Sequence, residues 1–397
     1  MPALGSRATT RCWVVLARGS GLHAGTDSSC TLETLRDRLL RLEYPALLKV
    51  HARDLVARGQ ADRLRRSLHG NLGPLGCAVR LFYLREEVPR GEVIDAFGSE
   101  LIATLLRQDV LREEARSGGL RTPYRIEVLS DTFLLTERHE ESATAVYFDE
   151  DSRFLRHMLE PRAGDLCLDF CTGTGIQGLR CAQVAERVDA VDLNPRAVKV
   201  ARLNAALNGL SERYRVFEGD LDEALPLGAE YDYVISNPPL IPVDDAVPYP
   251  LCGHGGPDGL EIVGKILRSV AKRLRGGGRG AVIGACTGDA KRAHVLPLAE
   301  RVLGAEFEIV LFQMLRTTLR DWVGLVAQTV PNFYPAISYD EVVLRSRQGY
   351  GAALDESFVF TYLLKFKRSG RSDQRLIDLS QSGRQRSFWF VEPAGGA

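Results

Sequence analysis

One stretch limits the fold more than any other. Leu166-Cys167-Leu168-Asp169-Phe170 reads as a short apolar strand, and Cys171-Thr172-Gly173-Thr174-Gly175-Ile176-Gln177-Gly178 follows it directly. A helix then runs from about Leu179 to Val184. Such a strand–turn–helix unit opens an α/β nucleotide-binding fold. Gly173, Gly175 and Gly178 match G-x-G-x-x-G, which alone is a weak signal. A dehydrogenase would seat a dinucleotide pyrophosphate on that helix N-terminus. Asp169 argues against it, because a carboxylate at the strand end points into the space a pyrophosphate needs. It suits a cationic ligand with an amino group. The bland alternative is a tight turn that binds nothing.

The pattern continues downstream. Val188-Asp189-Ala190-Val191-Asp192-Leu193 is a second strand ending in an acid, and Asp192 can accept from both hydroxyls of a ribose. Asn194-Pro195 opens a helix that runs from Arg196 to Gly209, with Pro near its first turn and Gly at its end. Tyr214 to Leu221 reads as a third strand, after which Asp220 can accept from an exocyclic adenine amine while Leu221 packs on the ring. Singly, each acid reads as a solvated loop carboxylate. Three at successive strand ends do not.

Tyr231-Asp232-Tyr233-Val234-Ile235-Ser236 reads as a fourth, buried strand, stopped by Asn237-Pro238-Pro239-Leu240. Two prolines stiffen the turn and remove two N–H donors. The carboxamide of Asn237 and the adjacent carbonyls make it rich in acceptors, suited to gripping an N–H group.

Asp169-x-x-x-Gly173-x-Gly175, Asp192, Asp220 and Asn237-Pro238-Pro239-Leu240 together resemble the class I methyltransferases that use S-adenosylmethionine. The nearer resemblance is to the branch with an (Asn/Asp/Ser)-Pro-Pro-(aromatic) motif. That branch includes the glutamine methyltransferases of release factors and the amino methyltransferases of nucleic-acid bases. His254-Gly255-Gly256-Pro257-Asp258-Gly259-Leu260 is similar to a segment that follows the motif in the release-factor group and its small-domain relatives. The resemblance covers roughly residues 145–366.

It implies a seven-stranded Rossmann-like α/β domain that binds S-adenosylmethionine. Cofactor contacts are expected from Asp169, Cys171, Gly173, Gly175, Asp192, Leu193, Asp220, Leu221 and Asn237. Asn237 and the carbonyl of Pro238 are the expected catalytic groups, accepting from the attacking N–H so that the nitrogen lone pair faces the methyl. Pro239 and Leu240 are expected to touch the substrate. Leu240 stands where the branch carries Tyr or Phe, so a target there packs without π-stacking. That departure points to an N-directed transfer onto a small molecule, such as a biosynthetic intermediate. Transfer to a protein glutamine or an rRNA base is the alternative, and a non-catalytic cofactor-binding regulator is a third reading. An intact Asn-Pro-Pro weighs against the regulator, since a binder needs no nucleophile clamp.

Composition bounds the partners. With 397 residues the chain exceeds one such domain, so two are expected. Lys+Arg and Asp+Glu number 51 each, which gives no global basic footprint for nucleic acid. The first 125 residues carry 20 Lys/Arg against 14 Asp/Glu, an excess of 6 without interleaved aromatics. Nucleic acid is therefore disfavoured, though not excluded. None of the eight cysteines forms a C-x-x-C pair, so no metal is expected. No apolar run approaches membrane-spanning length and no signal peptide is visible, which makes a cytoplasmic location the default.

Along the chain, residues 1–30 read as a mobile tail and 31–140 as a small α+β domain. Within it, Leu32, Leu35, Leu39, Leu40 and Leu42 suggest an amphipathic helix. Glu92 to Phe97, a break at Gly98-Ser99, then Glu100 to Gln108 reads as helix-turn-helix, and Arg125 to Glu137 as a strand pair around Ser130-Asp131. This is similar to a winged helix. The poorly basic Glu100–Gln108 segment favours substrate recognition or dimerisation over DNA reading, and a homodimer through this domain is left open. Residues 141–366 form the expected methyltransferase domain. In it, Tyr147 and Ser152 are expected beside the cofactor, and residues 315–355 form an insertion that could cap the substrate. Residues 367–397 read as a loose tail in which Phe388-Trp389-Phe390-Val391 could dock.

Overall fold

The computed structural model describes residues 31–51, 73–138 and 142–380. The expected N-terminal tail, the 140/141 boundary and the docking of Phe388–Val391 lie outside these residues. Before Gln108, the described residues form helices Leu32–Arg41, Tyr44–His51, Gly73–Phe82, Arg90–Phe97 and Ser99–Arg107. The first buries Leu32, Leu35 and Leu39 on one face, whereas Leu40 is left exposed. The last two helices meet at Gly98, whose φ of +81° makes the break that its sequence suggests. Phe82 and Phe97 pack edge-to-face at 5.5 Å in the core of this unit.

Two short antiparallel pairs follow: β1 (Arg112–Glu113) with β2 (Leu120–Arg121), and β3 (Arg125–Leu129) with β4 (Thr132–Thr136). β3 and β4 form the expected hairpin, but it does not stand out as a wing. Every residue of β4 is buried. Its outer edge is paired by side chains from the end of the helix Pro195–Leu207 and its C-cap: Asn208, the cap, accepts from Phe133 N–H at 2.9 Å and donates to the Phe133 carbonyl at 2.7 Å. One turn earlier, Asn204 does the same for Leu135 at 2.7 and 3.0 Å. Two carboxamides four residues apart thus serve as a substitute strand. The same helix lends Ala197, Val200 and Leu207 to the N-terminal core, so the two units share it.

The main sheet comprises β5 (Leu166–Phe170), β6 (Arg187–Asp192), β7 (Tyr214–Glu218), β8 (Tyr231–Ser236), β9 (Leu274–Gly288), β10 (Phe307–Thr318), β11 (Phe358–Arg368) and β12 (Asp373–Asp378). They lie in the order β12-β10-β11-β9-β8-β5-β6-β7. Only β11 runs against the rest. The expectation of seven strands is corrected to eight, and with it the reading of residue 367 onward as loose: 373–378 form β12, parallel to β10.

Helices cover both faces, which is why the central strands read as continuous apolar runs. Cys167 and Tyr233 enter one core and their neighbours Leu168 and Val234 the other, as strand alternation requires. Strand order reverses between β5 and β8. Their carboxyl ends therefore splay and leave a crevice, the usual ligand position in open α/β sheets. Residues 319–356 insert between β10 and β11 as helices Leu319–Phe333, Tyr339–Tyr350 and Ala353–Glu356. No helix among the described residues is long and apolar enough to cross a membrane.

Candidate active site

A cavity opens at the carboxyl ends of β5, β6, β7 and β8. Its wall includes Cys171 to Thr174 after β5, Asp192 and Leu193 after β6, Gly219 to Leu221 after β7, and Asn237 and Pro239 after β8. Tyr147, just before the helix Glu150–Met158, and Ser152 in its first turn also line it, as their sequence position suggested. The insertion contributes nothing to the wall. It braces the loop beyond the Asn-Pro-Pro turn. Trp322 Nε1 donates to the Pro242 carbonyl at 3.1 Å, Arg345 to that of Ala246 at 3.0 Å and Tyr350 to that of Pro257 at 3.0 Å.

The glycine loop is shaped by conformation and packing. Cys171, Gly173 and Gly175 have φ of +56°, +54° and +84°, and Gly175 starts the helix Ile176–Ala182. A Cβ on Gly178 would lie 2.3 Å from the Tyr214 ring, so the third glycine lets the helix settle on β7.

Asp169 corrects an expectation. Instead of pointing into the cavity, it is 1% exposed and sits behind the loop. Its Oδ2 accepts from Thr172 Oγ1 at 2.5 Å and Gly178 N–H at 2.9 Å. Its Oδ1 is buried without a partner. Burial pushes its pKa up to about 7, against the pull of those hydrogen bonds. Gly175 likewise shapes the loop without reaching the wall.

Asp192 is on the wall. Its Oδ2 accepts from Gly173 N–H at 2.8 Å and its Oδ1 from Asn194 N–H at 2.9 Å. These contacts aim the carboxylate and leave each oxygen a lone pair for a ligand hydroxyl. Burial raises its pKa, and the backbone N–H groups of Asn194, Gly173 and Leu193 oppose the rise.

The turn after β8 divides. Asn237 and Pro239 face the cavity, while Pro238 is buried and off the wall. Leu240 is 3% exposed and belongs to the core under the insertion, so its expected contact with substrate is corrected too. Its backbone is pressed by Gly255, where a Cβ would lie 2.9 Å from the Leu240 carbonyl carbon. Asn237 Nδ2 donates to Asp151 Oδ2 at 3.1 Å and to Ser152 Oγ at 3.2 Å. Tyr147 OH donates to Asp151 Oδ1 at 2.9 Å. Asp151 was not among the residues singled out from the sequence. The available signal was an acid one turn before Leu155 on the buried face of an amphipathic helix.

Residues 143–285 match the family described as methyltransferase small domain, and residues 45–123 match a domain of unknown function. Among curated proteins, the ribosomal protein uL3 glutamine methyltransferase of Bradyrhizobium diazoefficiens is 37% identical over 29% of this chain and 39% of its own length. The release factor glutamine methyltransferase of Mycolicibacterium smegmatis is 38% identical over 29% of the chain and 44% of its own. That of Rhodopirellula baltica is 28% identical over 51% and 71%. The chain thus spans about two fifths of the length of the first two. A solved tRNA m1G37 methyltransferase from M. jannaschii aligns with a TM-score of 0.37 at 16% identity, covering 64% of this chain and 61% of its own. The names of the curated relatives overturn the expectation of a small-molecule substrate, since they act on proteins. The cavity fits the family's cofactor, S-adenosylmethionine: an aimed carboxylate at Asp192, a second acid at Asp220, and an apolar wall from Leu193, Leu221 and Ile176.

Proposed function

We propose, from the premise that residues 143–285 form a class I S-adenosylmethionine-dependent methyltransferase domain of the small-domain branch, that the chain methylates the side-chain amide of a glutamine in a protein. The observation that carries this reading is Asn237. Its Nδ2 is held by Asp151 and Ser152, and its Oδ1 accepts nothing from the described residues and is not sealed from solvent. An open carbonyl oxygen in a rigid turn receives one N–H of a primary amide and turns its nitrogen toward the cofactor.

When bound, the cofactor supplies an electrophilic methyl group on a sulfonium centre. Asp192 holds its ribose end, and Asp220 with Leu221 its base. Asn237 orients the incoming nitrogen, without the Pro238 carbonyl expected beside it, which lies off the cavity wall; alignment of this kind does most of the work in an in-line displacement. No strong base is required if the amide proton leaves after transfer. The glutamine targets of the curated relatives support the reading, and their ribosomal and release-factor substrates agree with a cytoplasmic location.

The test is methyl transfer from radiolabelled cofactor into cell extract separated into protein, RNA and metabolite fractions. Label in protein is expected, on a glutamine-containing peptide heavier by one CH2. Label confined to RNA or metabolites refutes the assignment.

A further inference from the structure

Asp151 lies in the first turn of the helix Glu150–Met158 and is 1% exposed. Its two oxygens serve different partners, Oδ1 the Tyr147 hydroxyl and Oδ2 the Asn237 carboxamide. The remaining Nδ2 hydrogen of Asn237 goes to Ser152 Oγ. Both hydrogens of the carboxamide are therefore committed to one helix.

A carboxamide has two orientations that exchange nitrogen and oxygen. Only one places Oδ1 in the cavity. An ionised carboxylate accepts and never donates, so the reversed amide would set Oδ1 against Asp151 Oδ2 with no hydrogen between them. Ser152 cannot discriminate, because a hydroxyl donates as readily as it accepts.

We propose that Asp151 is a positioning residue of the acceptor clamp, its carboxylate fixing the Asn237 amide with Oδ1 turned toward the substrate nitrogen. This rests on the reading of Asn237 given under the proposed function. Burial pushes the Asp151 pKa up to about 6, opposed by hydrogen bonds from Asn237, Tyr147 and the Ser152 N–H. Of the other titratable groups that face it, Asp149 raises it further, and Cys252 on the cavity wall, its own pKa pushed up to about 11, stays neutral. Once protonated, Asp151 can donate to Oδ1 and hold the amide reversed. The clamp is thus set above about pH 6 and lost below it.

The side-chain NH2 signals of Asn237, assigned by their loss in Asn237→Ala, report this in 15N-asparagine-labelled protein without any substrate. Between about pH 5 and about pH 8 they are expected to move with the Asp151 titration, and to stay still in Asp151→Asn. Signals that ignore pH in the wild type overturn the proposal. In turnover on the protein substrate, Asp151→Asn is expected to keep the KM for cofactor and lower kcat by up to about 100-fold, as for a misplaced reacting group. It also removes the acid limb of the kcat profile. An unchanged kcat overturns the proposal as well. If no protein is methylated, the functional reading fails, and the NMR titration still decides the role of Asp151.

Discussion

Asn237 keeps one polar atom bound to its own chain and one open, and that asymmetry sets its expected phenotype. Asn237→Ala should retain cofactor binding and lower kcat by on the order of 100-fold, as for a lost polar contact to the transition state; full turnover would remove the clamp role. Asp192→Ala should weaken cofactor binding, and an unchanged Kd by calorimetry would reject the ribose assignment. Asp169 makes a different prediction. Its native pKa, about 7, lies above the ordinary value of 3.8, so the folded state holds more protons between those values than the unfolded chain does. Its contribution to stability is therefore whole below about pH 4 and is lost as pH rises through about 7. Asp169→Asn should remove that part of the slope, read as the melting temperature of cofactor-free protein against pH.

The pairing of a strand edge by a helix is the device that joins the two halves of the chain. Asn204 also donates to the Thr174 carbonyl at 2.9 Å, so one carboxamide serves both β4 and the glycine loop. Asn204→Ala leaves the Leu135 N–H and two carbonyls unpaired in a buried place. The expected loss, by urea unfolding, is on the order of 3 kcal/mol. Cofactor affinity should fall with it, because the loop loses an anchor. None of this was legible in the sequence, where Asn204 and Asn208 sit in an ordinary helix and their partner is some 70 residues upstream. The places of the glycine loop, Asp192, Asp220 and Asn237 on the cavity wall were legible because each ends or follows an apolar strand at the carboxyl edge of the sheet. The roles of Asp169 and Leu240 were misread for the converse reason. Strand ends give the place but not the direction, which Thr172 and Gly178 set for one and the braced loop for the other. Asp151 was hidden among the acids that commonly open a helix.

For the whole molecule, the shared core predicts a single cooperative transition. Ala197, Val200 and Leu207 are buried by the N-terminal unit, so a chain starting at residue 142 would expose them with two unpaired asparagines. Such a fragment should bind hydrophobic dyes and melt well below the intact protein; an equal melting temperature would show that the halves are independent. The sheet's far side shows the same economy of edges. β10 alternates buried Phe307, Ile309 and Leu311 with half-buried Val310 and Phe312, and β12 pairs with it from Glu308 to Gln313. β12 is short and mostly exposed, with charges at Asp373, Arg375 and Asp378 flanking the exposed Leu376 and Ile377. Short, charged strands make poor templates for a neighbouring molecule, and bare apolar edges make good ones. Cutting the chain after Arg368 would leave every catalytic group in place and still yield a protein that precipitates, visible as rising light scatter with concentration. On this reading the edge is kept from self-association by six residues that lie five strands away from β5 and its glycine loop.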